Sequence, residues 1–266
     1  MTPDRFLFRL LHHHRFRTAA LEGRLEELGL DARARRWLAG IDHGELESLS
    51  TAIYRNVMTG DVRYGGGLKS EFPGTLQALE HLGRDVRKVG HAFLESAWFD
   101  RYRILPHCGL GLSIEEAFHA FVQEDRQFLD AAETNGLLLR HEFLTSLLCS
   151  LTVNRRPAFR VESTGISQRL EGWLALTRYP ADVAEALSKK PPTPEGGREE
   201  VDYLYAATPA GFVTGPVSRL VAALLQTGSL AAVHAQRAFL EESFAVPWTD
   251  LEPVAQRLFD RRLLDA

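Results

Sequence analysis

Between residue 4 and about residue 155 the apolar residues recur at helical spacing, and past that point the pattern changes. This switch restricts the chain to a mainly α architecture with a smaller α+β part behind it. Residues 4–39 place Phe6, Leu7, Leu10 and Leu11 on one helical face, and "LEGRLEELGL" does the same with Leu21, Leu25 and Leu28. A further helix covers 45–58. It stops at "RYGGGLK", whose three glycines lose too much backbone entropy to sit inside a helix. "SEFPGTLQALEHLG" reads as a turn at Pro73 and then a helix, and "GRDVRKVGHAFLESAW" as another. In "SIEEAFHAFVQE", Ser113 and Glu116 have capping-box spacing, and Ile114, Ala117, Phe118, Phe121 and Val122 follow as a stripe. "HEFLTSLLCSLTV" is apolar nearly all round and is expected to be buried.

After "NRRPAFRVESTG" the segments "GWLALTRY" (172–179) and "VDYLYAA" (201–207) read as strands. The second sets Val201, Tyr203 and Tyr205 on one face. Between them lie a short helical piece, "ADVAEALS", and the Pro/Gly-rich "KKPPTPEGGREE", expected as a mobile loop. Three helices close the chain. "VSRLVAALLQTG" carries the stripe Val217, Leu220, Val221, Leu224 and Leu225 and stops at Gly228. "SLAAVHAQRAFLEESF" starts at Ser229 as N-cap, and "TDLEPVAQRLFDRRLLDA" opens with the capping pair Thr249 and Glu252. A two-stranded sheet followed by three helices is a winged-helix-like arrangement, and an unrelated small α+β cap is the competing reading. The expected division is a helical domain over 1–160 and a winged-helix-like domain over 161–266.

Composition narrows the function classes. Hydrophobic residues make up 45% and charged residues 25% of the chain, enough for a real core, and the net charge of -4 is unlike that of a strongly basic nucleic-acid binder. No apolar run reaches the roughly 20 residues of a membrane span, and the start of the chain lacks a signal-peptide cleavage site. Cys108 and Cys149 are far apart and in no CxxC, which leaves no disulfide scaffold and no four-thiolate zinc site. A cytoplasmic protein with reduced thiols is the expectation.

The candidate chemistry is sparse. His12, His13 and His14 are consecutive, so on a helix they point about 100° apart and cannot readily close on one ion. Chelation on a helix needs i, i+4 spacing, and the positions that far from them are Phe8 and Phe16, Arg9 and Arg17, and Leu10 and Thr18. His81, His91, His107, His119 and His141 form no HExxH, HxH or facial-triad pattern. Cys108 adjoins His107, but neighbouring residues rarely face each other and no third group completes a nucleophile. "YGGGLK" lacks the frame of a phosphate loop. No catalytic residue and no metal ligand is assigned to this chain.

The stretch "LVAALLQTGSLAAVHAQRAF", followed by "DLEPVAQRLFDRRLLD", resembles PqqD-type peptide-recognition domains. "IYRNV" (53–57), "FPGTLQAL" (72–79), "VGHAFL" (89–94) and "FHAFV" (118–122) resemble the helical domain of the HvfC and TglI type of partner proteins. The resemblance implies a non-catalytic accessory subunit in the maturation of a ribosomally synthesised peptide. Such a subunit holds the leader of the precursor peptide and presents its cysteine to a TIM-barrel enzyme with several iron ions, as in cysteine carbon excision. The iron belongs to that partner, and this chain needs no cofactor. A heterodimer is then expected, consistent with an apparent surplus of aromatic residues: Phe6, Phe8, Phe16, Trp37, Trp98 and Phe99.

Two surfaces are candidates for the peptide: an exposed edge of the strand "VDYLYAA" and the groove beside the last helix. Val201, Tyr203 and Tyr205 line the first, with Leu224 from the following helix. Arg257 and Arg261, at i, i+4 on the last helix, would meet acidic leader residues. The alternative is a winged-helix transcription regulator using Arg257, Arg261 and Arg262 on DNA. Glu252, Asp260 and Asp265 on the same segment weigh against it, because DNA binding draws on phosphate neutralisation.

Overall fold

A computed structural model describes residues 2–61, 65–102, 111–153, 157, 159–188 and 199–266. It is mainly helical, with a small antiparallel sheet in the C-terminal part. The chain divides into two compact units, Met1–Glu142 with Phe159–Val161, and Phe143–Ala158 with Glu162–Ala266.

The first unit begins with α1 (Pro3–His12), α2 (His14–Leu21), α3 (Ala32–Ala39) and α4 (His43–Thr59). Phe6, Leu10, Phe16, Leu30, Leu38 and Leu46 form their common core. Side chains of Thr2, Asp31 and Asp42 cap α1, α3 and α4. The continuous helical reading of 4–39 is corrected at two points. His13 is extended (φ -94, ψ 102) and separates α1 from α2. Beyond α2, Gly23 and Gly29 take positive φ of 76 and 58 and break the chain before α3.

Two-residue strands β1 (Gly60–Asp61) and β2 (Gly65–Gly66) then pair antiparallel, where no strand is expected. Their cause is steric. A Cβ on Gly67 would lie 2.3 Å from the Gly60 nitrogen, so only glycine lets the backbones approach. The unit continues through α5 (Leu68–Glu71), α6 (Pro73–His81), α7 (Val86–Leu94), α8 (Ala97–Arg101), α9 (Ile114–Gln123), α10 (Arg126–Ala131) and α11 (Glu133–Val153), which closes in the second unit. Phe118 anchors a second core, its ring edge-on to Phe72 at 4.9 Å and to Phe93 at 5.2 Å.

The capping box of α9 forms as its spacing predicts. Ser113 Oγ accepts from the Glu116 N–H and Glu116 Oε2 from the Ser113 N–H, both at 3.1 Å. Because Ser113 is fully buried, Ser113→Ala leaves a buried N–H without its acceptor and is expected to cost about 1 kcal/mol. Urea denaturation checks this, and an unchanged midpoint would show that the box contributes nothing.

The second unit holds β3 (Ile166–Arg169), β4 (Gly172–Pro180), α12 (Ala181–Leu187), β5 (Glu200–Thr208), β6 (Gly211–Val217), α13 (Arg219–Thr227), α14 (Leu230–Ala235), α15 (Arg237–Phe244) and α16 (Trp248–Asp260). The sheet has four strands in the order β3-β4-β5-β6, all antiparallel, where two are expected. The added strands are the outer ones. "ISQR" is short and lacks alternation, and "GFVTGPV" carries two glycines and a proline.

Leu174, Leu204 and Ala206 share a core with Leu224, Leu225, Val233, Leu240, Leu251 and Leu258 of the helices behind the sheet. The opposite face carries Tyr179, Tyr203 and Tyr205, with α12 packed on it. Three closing helices become four, because Gln236 interrupts the second. Gly228 (φ 87) and Ser229 cap as expected. Thr249 and Glu252 do not. Pro247 is the N-cap residue of α16, and Glu241 Oε1 accepts the Trp248 N–H at 2.7 Å in its place.

Candidate functional site

The six predicted peptide-binding residues do not converge. Val201, Tyr203 and Tyr205 share one sheet face, as their alternation requires, but that face is covered. Tyr203 is 1% and Tyr205 0% exposed. The Tyr205 hydroxyl lies 3.0 Å from that of Tyr179, and Ser188 Oγ donates to the Tyr203 hydroxyl at 3.3 Å. Both tyrosines are therefore core, and Val201 is half-buried opposite Tyr179. Leu224 is fully buried on the other face, among Leu204, Leu225 and Leu251. Arg257 is exposed on α16 and Arg261 at its C-cap, and Arg257 Nε donates to the Pro253 carbonyl at 3.1 Å. The helix packs against α13, α14 and α15.

The expected docking edge is also corrected. β5 pairs with β4 on one side and β6 on the other, so its main-chain groups are taken. Among the described residues, β3 and β6 are the outer strands. β6 offers the longer edge and the more open face. Its Val213 pairs across from Ala206 on the helix-facing side, yet is 47% exposed. A Cβ built on Gly215 of the same face meets nothing within 4 Å.

The polarity of that edge follows from Pro216. The β5–β6 ladder runs unbroken through Tyr203↔Pro216. A proline nitrogen cannot bond, so it faces away from β5. Strand alternation then turns the N–H and C=O of Thr214 and Phe212 outward as well. This edge is not legible in the residues alone, because the glycines and proline of β6 hide its strand character.

The three histidines divide between two helices. His12 belongs to α1, stacks on Phe8 (4.1 Å) and uses Nδ1 on the Phe8 carbonyl at 2.9 Å. Nε2 of His13 lies 3.6 Å from Asp100 Oδ1. The His14 ring stacks on His91 (4.7 Å), which in turn stacks on Tyr54 (4.4 Å). The His12 and His13 rings both lie against Phe8, and His14 lies apart from them on His91. Among the described residues, no group of three His, Cys, Asp or Glu is arranged to hold a metal ion. His107 and Cys108 lie outside the described residues, as does the loop 189–198. Cys149 is half-buried, and burial pushes its thiol up.

Three of the six aromatic residues read as a surplus pack inside the chain itself. Phe6, Phe16 and Phe99 are buried, and Phe8, Trp37 and Trp98 half-buried. Phe6 contacts both Phe16 and Trp37 with ring centres 6.0 Å apart.

Perturbed ionisable groups gather instead around α9 and the middle of α11. Burial, then the charge of Glu115, raises Glu71 to about 8, so it is a neutral acid at pH 7. Burial lowers His119 and His141 to about 4, with Arg140 adding to the effect at His119. Glu142 accepts the N–H groups of Gly74 (2.6 Å) and Thr75 (2.9 Å) at the start of α6. Burial still moves it upward. The immediate consequence of these shifts is for stability. No family model matches the chain, and neither the curated proteins nor the solved structures give a match.

No helix among the described residues is long and apolar enough to cross a membrane.

Proposed function

We propose that the chain is a non-catalytic accessory subunit that binds the leader of a precursor peptide. It would present the peptide's cysteine to a partner iron-dependent oxidising enzyme. The observation that carries the reading is the outer edge of β6, with outward main-chain groups at Phe212 and Thr214 and an open apolar position at Val213. An extended peptide adds to such an edge as a further strand, and neighbouring side-chain sites supply selectivity. The succession of antiparallel strands followed by short helices, with Gly228 and Ser229 at a helix junction, supports a winged-helix-like, PqqD-like reading of the second unit. Arg257 and Arg261 are exposed and suited to acidic leader residues.

Thr214→Pro tests the edge directly. The substitution removes an outward N–H and no bond to β5, so the fold should survive, as it does with Pro216. Fluorescence anisotropy with a labelled acidic leader peptide, taken from a precursor gene adjoining the chain's own, is expected to show at least about tenfold weaker binding than wild type. Arg257→Glu with Arg261→Glu should weaken binding similarly. Absence of leader affinity, together with tight duplex-DNA binding at physiological salt, would replace this reading with that of a transcription regulator.

A further inference from the structure

We propose that a cleft in the first unit binds a small amphipathic organic acid, with Arg5 and Arg9 holding its anionic head. The cleft measures about 1200 Å³, and Phe8, Ala19, Leu28 and Ala97 contribute apolar lining. Spacious, mostly apolar concavities with a few placed polar groups are where small ligands bind. Arg5 and Arg9 are four residues apart on α1 and so share one helical face, with Phe8 beside them.

The charge pattern selects the ligand. The other arginines along the cleft are satisfied. Arg15 meets Glu95 at 3.5 Å through its guanidinium and 2.9 Å through its N–H, and Arg24 meets Glu22 and Glu27 at 2.6 Å. The acids are engaged too: Asp100 faces His13 at 3.6 Å, and Asp4 has a partner of its own. Among the described residues, Arg5 and Arg9 are the cleft arginines that make no ion pair. Arg9 is held in place over the Phe16 ring, 4.5 Å from its centre. An exposed guanidinium at Arg5 and one held over Phe16 at Arg9, beside the apolar lining, match a carboxylate on an apolar body. All of these residues lie in Met1–Glu142, so the site stands whether or not the second unit binds a peptide.

Calorimetric titration of the full chain with phenylbutyrate, and with phenylbutyramide as its uncharged twin, tests the proposal. Saturable single-site binding of the acid is expected, with the amide about tenfold weaker. Arg5→Gln should weaken the acid by a similar factor, as should Arg9→Gln, whereas Arg33→Gln on α3, outside the cleft, should change nothing. Arg5 is exposed, so its loss leaves the fold intact and a loss of binding there is not a folding defect. No saturable binding by roughly 10 mM, equal affinity for acid and amide, or wild-type affinity in Arg5→Gln overturns it.

Discussion

Leu204→Pro is expected to unfold the C-terminal unit. On a strand paired on both sides every N–H bonds one neighbour or the other, so a proline at any position of β5 deletes a ladder bond. Leu204 also belongs to the core shared with α13–α16 and is 5% exposed. Losing its side chain costs roughly 2–5 kcal/mol by itself, and a misplaced proline about 3 kcal/mol more. The sum rivals the whole stability of an ordinary domain. Circular dichroism should show loss of the β signal and part of the helical signal, and thermal melting should lose one transition. A folded variant with a melting temperature near wild type would mean that β5 is not central. The contrast with Thr214→Pro, which should fold, separates damage to the sheet from damage to its edge.

Acid should destabilise the first unit strongly. His119 and His141 are lowered to about 4 in the fold against 6.5 for the free side chain, because burial disfavours the imidazolium. Between those pH values the unfolded chain binds protons that the folded chain refuses. Stability is therefore fully present above pH 6.5 and falls as pH drops towards 4. The shift at His119 corresponds to about 3 kcal/mol. His141 is less enclosed and contributes less. Glu71 works in the opposite sense. Its carboxyl is raised from 4.5 to about 8, so its contribution is present below 4.5 and fades as pH rises through 8. Urea midpoints plotted against pH should peak near 6.5, with the steeper limb on the acid side. His119→Leu should flatten that limb, and an acid limb as steep as wild type in this variant would show that the imidazole is not the group refusing the proton.

What could be read in advance was what is local. The Ser113–Glu116 box and the Gly228–Ser229 junction are fixed by residues within one turn of each other, and both form where their spacing puts them. The shared face of Val201, Tyr203 and Tyr205 follows from alternation alone. Alternation does not say how many neighbours a strand has, so it cannot distinguish the expected edge from the central strand that β5 is. β3 and β6 escaped notice because Gly, Pro and polar residues carry little strand propensity, and these strands owe their form to β4 and β5. The break at His13 is similarly invisible. Nothing in "LLHHHRFR" ends a helix, and the bend accompanies the nearly buried imidazole facing Asp100, far away in sequence. Candidate binding residues suffered most, since Tyr203, Tyr205 and Leu224 are as suitable for a core as for a pocket.

Pro216 has a bearing on solution behaviour. A sheet with an open outer strand is a template on which identical chains can stack into ribbons. Here the template is short. An incoming strand finds outward donors at Phe212 and Thr214, then a ring with no N–H. Two such sheets meeting edge to edge would run out of partners within a few residues, so the pairing cannot propagate along the strand. The same stop that limits polymerisation also sets a register. A strand short enough to fit between the β5–β6 turn and Pro216 can bond fully in one alignment, and a longer one must bend away at that point.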